Sequence, residues 1–342
     1  MTHAVGNNPE SNCVSETLHP KVFIINMFGL EAAVWKEKII SSSLDLSARR
    51  VRLLGLSPKY PDIFCTENGD VCQITTAEGL INASLALSAL LCSPLFDLRN
   101  TYFLIAGIAG VNPRMASLGT VAFARYAVQV DLQYEFDSRE VPADWVTGYV
   151  PLGSSHPSQY PSQFYGTELF SLNDELRSVA QGLAEKATLH LSETAAAYGA
   201  LYATEPSGAF LPATLPPSVI QGDVASSNVF FHGPHITSGV DGYCRLLTGG
   251  KAEYCMAAQE DNGTLAALMR ASQVRKVDFS RVILLRSGSN FDQPPPGKRE
   301  GALDTPIHVA HGGLEIALEN ACVAGMEVVK GILREGMLGT IR

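Results

Sequence analysis

Five short stretches carry side chains whose types and spacing suit chemistry on a small ligand. "NMFGLEAAVWKEKI", Asn26 to Ile39, follows the strand-like run "KVFII" and sets Glu31 at a turn that feeds a helix. Glu31 is there either a working carboxylate or the first acid of an ordinary helix, because a first-turn acid suits the helix dipole. "CMAAQEDNGTLAALMRA", 255–271, puts Gln259, Glu260 and Asp261 where another helix opens, and the same two readings apply. "RVILLRSGSNFDQPPPG", 281–297, is an apolar strand ending in Ser289, Asn290 and Asp292 before a proline stop. Polar groups just past the carboxyl end of such a strand are where α/β sheets place ligands, although Ser, Asn and Asp also make ordinary loops. "LIAGIAGVNP", 104–113, runs a strand into a turn at Ala109 and Gly110, where main-chain N–H groups face a ligand or merely allow close packing. "GDVASSNVFFHG", 222–233, places Phe230 and Phe231 after a polar turn, to stack on a planar base or to join the core.

The elements that must position these groups alternate in kind. Apolar, β-branched runs at 21–26, 102–110, 119–131 and 281–289 predict strands covered on both faces. Helical periodicity predicts helices over 30–43, 76–92, 170–198, 260–274 and 313–334. Strands and helices in alternation, with no break in composition, indicate an α/β layered fold in one domain over 21–342. The Pro- and Gly-rich stretch 201–218 reads as a linker or as an active-site surround. Residues 1–20 lack a basic start and an apolar stretch, so they read as a flexible polar arm and leave the cytoplasm as the default compartment. The uncharged segment 79–96 contains Asn82, three serines and Pro94, and its helical part is shorter than a span requires, so it reads as a buried helix.

Composition narrows the ligand. With 342 residues and 46% hydrophobic content the chain can bury a large core. A net charge of −9 excludes the basic face of a nucleic-acid binder and favours a small molecule. The seven cysteines show no CxxC pair or metal spacing, and their odd number weighs against a disulfide framework. Neither a metal nor a cofactor is expected.

In their order along the chain these stretches resemble the purine nucleoside permease family, itself similar to the nucleoside phosphorylase and nucleosidase superfamily. The resemblance covers about residues 20–340 and is carried by "GIAGVNPRMASLGTVAFARYAVQVDLQYEFDSREVPADWVTGY", "GDVASSNVFFHG", "YCMAAQEDNGTL" and "LRSGSNFDQPPPG". It implies a three-layer αβα domain with a mixed central sheet, a homo-oligomer, and cleavage of the N-glycosidic bond of a purine nucleoside. By that resemblance Glu260 grips the ribose hydroxyls, with Gln259 beside it, and Asn290 stands beside purine N7. Phe230 stacks on the base, Phe231 walls the same pocket, and Glu31 holds the attacking water. Ala109, Gly110, Ser289 and Asp292 complete the expected ligand contacts. Four departures bear on the chemistry. Ile108 occupies the Gly turn where many relatives place Ser or Thr and the first loop has no Arg, so a phosphate cradle is lacking. Leu80 stands where an acid is expected, and Gln293 where an Arg is. A binding or uptake protein without turnover, or the same scaffold recruited to other small-molecule chemistry, are the alternatives.

Overall fold

In the computed structural model, which describes residues 17–40, 44–297 and 311–335, the apolar run after Lys21 forms strand β1, Val22–Asn26, with every residue buried. There follow α1 (Gly29–Ile40), β2 (Arg49–Arg52), β3 (Asp62–Cys65), β4 (Val71–Thr75), α2 (Leu80–Cys92) and the long β5 (Tyr102–Val111). The middle of the chain gives β6 (Val121–Ala124), β7 (Tyr126–Gln129), the hairpin β8 (Gln133–Glu135) and β9 (Tyr149–Pro151), β10 (Leu169–Ser171), α3 (Asp174–Ala184) and α4 (Glu193–Ala200). The last third contains β11 (Val219–Gln221), β12 (Asp223–Ser226), α5 (Pro234–Leu247), β13 (Tyr254–Ala258), α6 (Asp261–Gln273), β14 (Val282–Phe291) and α7 (Gly313–Glu335).

Twelve strands form one mixed sheet in the order β10-β7-β12-β13-β5-β1-β4-β3-β2, with β14 pairing β5 and β6 and with β11 pairing β6. Side chains alternate across a strand, so β1 and β5 feed two cores at once. Phe23, Ile25, Phe103 and Ile105 pack with residues of α2 and α6 on one face. Val22, Ile24, Leu104 and Ala106 pack with Trp35 of α1 and with α3 and α7 on the other. Helices therefore cover both faces, giving the three-layer αβα fold expected from the sequence.

The sheet forks along β5. One edge of β5 pairs in parallel with β1 as far as Ile105, and antiparallel with β13 from Gly110 onward. Between these points no strand among the described residues lies beside the edge, and side chains from the β1 end take its place: Asn26 Nδ2 donates to Ala106 O at 2.6 Å, and Glu31 receives the Ile108 N–H. The opposite edge pairs β14 throughout, with an irregularity between Gly288 and Asn290.

Several expectations are corrected in detail. The run 119–131 is two strands, because the Asp223 carboxylate accepts the N–H groups of Arg125 and Tyr126 (3.0 and 2.8 Å) and turns the chain between them. The helix expected over 170–198 is α3 and α4, each started by its own cap, Asn173 and Ser192. Cys65 and Cys72, opposite one another in the β3–β4 register, form a disulfide, contrary to the expectation from the odd cysteine count. Residues 1–16 of the expected arm lie outside the described residues, whereas Leu18 is 6% exposed and bridges to Phe96, so the arm's last residues pack onto the body. The stretch 201–218 contains two 3-10 turns whose Tyr202 packs on Phe291 with ring centroids 4.4 Å apart, which makes it a support for the end of β14. Among the described residues no helix is long and apolar enough to cross a membrane.

Candidate active site

Glu31 sits in the first turn of α1, yet its carboxyl does more than start that helix. Oε2 accepts the Met27 N–H at 2.7 Å, and Oε1 reaches across the fork to the Ile108 N–H at 2.8 Å. Gly107 leaves the room for this: a Cβ there would lie 2.5 Å from Glu31 Oε1 and 2.5 Å from an Arg286 nitrogen. Burial pushes the Glu31 carboxyl up to about 7, against the opposing pull of the Arg286 guanidinium and the two N–H donors.

Arg286 interrupts the apolar run of β14 and is 1% exposed. Its guanidinium spans three carboxyl-bearing residues. It meets Asp261 through two hydrogen bonds, from Nε at 3.2 Å and from the second terminal nitrogen, and it reaches Glu260 Oε2 at 3.3 Å. The other terminal nitrogen donates to Ile108 O at 3.1 Å, beside Glu31. Burial alone would lower the guanidinium pKa, but Asp261 and Glu260 outweigh it and hold the group firmly charged. Such a fork fits paired acceptors better than a lysine could. Among the groups that Arg286 faces, three carboxyls share one cation.

Glu260 is the N-cap residue of α6 but makes no capping bond to its own helix. Oε1 instead accepts the Gly79 N–H at 3.1 Å, at the start of α2, and Oε2 accepts the Gln259 N–H at 3.3 Å. Burial raises its pKa, while Arg286 and the Gly79 N–H work the other way. Leu80, which stands in the same turn where an acid was expected, donates its N–H to Asn228 Oδ1 at 3.0 Å.

Farther along β14 the site opens into a cleft bordered by Gly110, Phe230, Phe231, Gln259, Asn290 and Asp292. The irregularity after Gly288 re-aims the strand, so that Asn290 faces Gly110 across the β5 ladder. A Cβ on Gly110 would stand 3.4 Å from Asn290 Nδ2, so the missing side chain keeps the amide's front clear. Ser289 Oγ lies 3.0 Å from Asn290 Oδ1 and 3.1 Å from Ala109 O. With Oδ1 facing that hydroxyl, the amide's NH2 is left to point outward, donating to Phe291 O at 3.2 Å. A second hollow, about 990 Å³, lies among Val34 of α1, Thr194 of α4 and the first turns of α7, and shares Asn290 with the cleft, while Glu31 and Glu260 line neither of the two.

Glu31 and Glu260 thus meet at one guanidinium, and Gln259, Asn290, Phe230 and Phe231 border one cleft. Phe230 is 55% exposed at the rim, whereas Phe231 packs against the cluster around α5. Gln293 is 3% exposed and borders neither hollow, with its backbone oxygen accepting the Tyr202 hydroxyl at 2.6 Å. Arg286 and the structural role of Asp261 were missed by the sequence reasoning. A single Arg inside an otherwise apolar strand was the available signal, since a buried guanidinium demands acid partners.

The purine nucleoside permease (NUP) family matches residues 19–336. "Purine nucleoside permease" of Candida albicans is 40% identical over 319 residues, 92% of this chain and 75% of that protein. "Probable purine nucleoside permease C285.05" of Schizosaccharomyces pombe is 40% identical over 282 residues, 80% of this chain and 78% of its own. Among solved structures, the 5'-methylthioadenosine/S-adenosylhomocysteine nucleosidase of Neisseria meningitidis, in complex with methylthio-immucillin-A, aligns over 91% of this chain and 98% of its own, with a TM-score of 0.51 at 15% identity. Futalosine hydrolase of Helicobacter pylori gives the same TM-score, 0.51, the same coverage of 91% and 98%, and 15% identity. These structures share the αβα fold and its large mixed sheet. With its whole folded body matched, the chain belongs to the purine nucleoside permease family.

Proposed function

We propose that the protein hydrolyses the N-glycosidic bond of purine nucleosides. The observation that carries this reading is the placement of Glu31: a buried carboxyl with a pKa near 7, fixed by the Met27 and Ile108 N–H groups, on the same stretch of β5 whose Gly110 faces Asn290. A general base works best when its pKa lies near the operating pH. In the proposed step Glu31 takes a proton from water as the water oxygen bonds to C1′. The C1′–N9 bond breaks, its electron pair stays with the purine, and Asn290 donates a hydrogen bond to N7 where that charge collects. Glu260 accepts the ribose hydroxyls, and Phe230 and Phe231 cover the base.

Water is favoured over phosphate by the charge around Arg286. Its guanidinium is already engaged by Asp261 and Glu260, so an arriving phosphate would find occupied donors and a surplus of carboxyls. A nucleoside-binding protein acting in uptake is the second reading, favoured by the names of the fungal relatives. The Cys65–Cys72 bond supports an oxidising compartment in place of the cytoplasm expected from sequence. Self-association belongs to the proposal as well, with exposed Phe136, Tyr160, Phe164 and Tyr165 offering apolar surface for it.

Release of free base from inosine, guanosine and adenosine, followed with and without phosphate, tests the reading. Equal release in both conditions is expected. Phosphate-dependent release with formation of ribose 1-phosphate replaces hydrolysis by phosphorolysis, and tight binding with no release favours the uptake reading.

A further inference from the structure

Two residues beyond Asn290 lies a carboxyl that the proposed reaction leaves without a task. The Asp292 N–H donates to Val111 O at 3.0 Å, so extended geometry continues past the end of β14. Asn290 and Asp292 therefore share a face of the strand while Phe291 turns away into the core against Tyr202. Both border the cleft that contains Phe230 and Phe231. Asp292 is 1% exposed. Oδ2 accepts the Tyr254 hydroxyl at 2.7 Å, and the backbone oxygen accepts the Gly233 N–H at 2.8 Å and the Thr237 hydroxyl at 3.2 Å. The Thr237 hydroxyl also helps to hold the carboxyl's charge, but among the described residues no donor meets Oδ1 in hydrogen-bonding geometry. Leaving a buried carboxyl oxygen unsatisfied is costly, so a donor that arrives there recovers that loss.

The order of groups along β14 matches the order of parts along a nucleoside. Arg286 organises the carboxyls at the sugar end, Asn290 comes next at the N7 position, and Asp292 lies roughly 6–7 Å farther along the same face. A purine with C1′ at the first and N7 at the second turns its six-membered ring toward the third. The geometry points to Asp292 as the residue that selects the base: its free Oδ1 accepts an N–H from the six-membered ring, either the 6-amino group of an aminopurine or N1–H of a 6-oxopurine. This rests on the reading that the cleft takes a purine. Burial pushes the Asp292 carboxyl up to about 7, so near pH 8 it is mostly an ionised acceptor.

Calorimetric titration of the full chain near pH 8 with two pairs of free bases tests the assignment without relying on turnover. Adenine is compared with unsubstituted purine, and hypoxanthine with 1-methylhypoxanthine. The wild-type protein is expected to bind the donor-bearing member of at least one pair roughly tenfold or more tightly. Asp292→Ala should bring the members of that pair to similar affinity, and Asp292→Asn, which keeps shape and one acceptor, should narrow the gap if the alanine variant does not fold. Equal wild-type affinity within both pairs, or an undiminished gap in the folded variant, overturns the assignment and leaves the purine cleft standing. A wild-type protein that binds none of the four bases overturns both.

Discussion

The two ends of the site are built on opposite plans. At the Glu31 end every charged group is buried and held by partners already present: Met27 and Ile108 for Glu31, Gly79 and Gln259 for Glu260, Asp261 for Arg286. At the Asn290 end the polar groups are more loosely held, the rim residue Phe230 is 55% exposed, and one oxygen of Asp292 has no well-aligned donor among the described residues. The first end is preorganised and stiff, which suits stabilisation of developing charge. The second has hydrogen-bonding capacity to spare, which suits recognition of a ligand that brings its own donors. Loss of the shared cation at the first end should therefore cost the fold as well as the reaction, and damage to the second should cost the reaction alone.

The largest effect is expected from Arg286→Met. It strands Asp261 and Glu260 in the interior without a cation, and breaking a buried pair in this way costs about 3–5 kcal/mol, to be read from urea unfolding. A variant as stable as wild type would remove the distinction between the two ends. Next is Glu31→Gln, which should slow hydrolysis by about 10²–10⁴-fold with little change in ligand affinity. The same substitution should flatten a stability trend. Glu31 has a folded pKa of about 7 against an ordinary 4.5, so its contribution is fully present below the lower value and is lost as pH rises through the upper one. On that count the wild type gives up roughly 3 kcal/mol between acid and neutral pH, and melting curves of the two proteins should converge accordingly toward low pH.

Smaller is Asn290→Ala, which should lower kcat on the order of 10²-fold while the urea midpoint stays near wild type. In the pH profile, kcat/KM should rise through about 7 as Glu31 loses its proton. Glu260→Gln should move that limb to lower pH, since the Glu260 charge holds the Glu31 value up. A limb that stays put would mean that the two carboxyls do not sense one another. The smallest effect concerns neither end: Cys65→Ser with Cys72→Ser opens a short loop, costs about 2 kcal/mol of stability, and leaves base release unchanged.

The layered fold was legible because β1, β5 and β14 are continuous apolar strands whose two faces are both covered, a pattern that solvent-facing strands do not produce. β2, "RRVR", escaped because it is an edge strand with alternating exposure, and charges at an edge read as a loop. Glu260 and Asn290 were found through the motifs that surround them. Arg286 was not, because its importance comes from Asp261 and Glu260, which precede it by 25 and 26 residues and join it only when the start of α6 is brought beside β14. The fork in β5 was equally invisible, since "LIAGIAGV" contains nothing to say which neighbour each half will pair with.

The fork also dictates when in folding the site comes into being. The Ile108 N–H waits for Glu31, 77 positions earlier in the chain, and the Ile108 carbonyl waits for Arg286, 178 positions later. Contacts of such long range form slowly, because the connecting chain must be closed before they reward it. Until β14 docks on β5, Glu260 and Asp261 have no cation, and the interior that will hold them cannot close. A nascent chain that ends before β14 therefore keeps these acids in water. Full-length protein should regain base-binding ability only with the slowest refolding phase, after its secondary structure has returned.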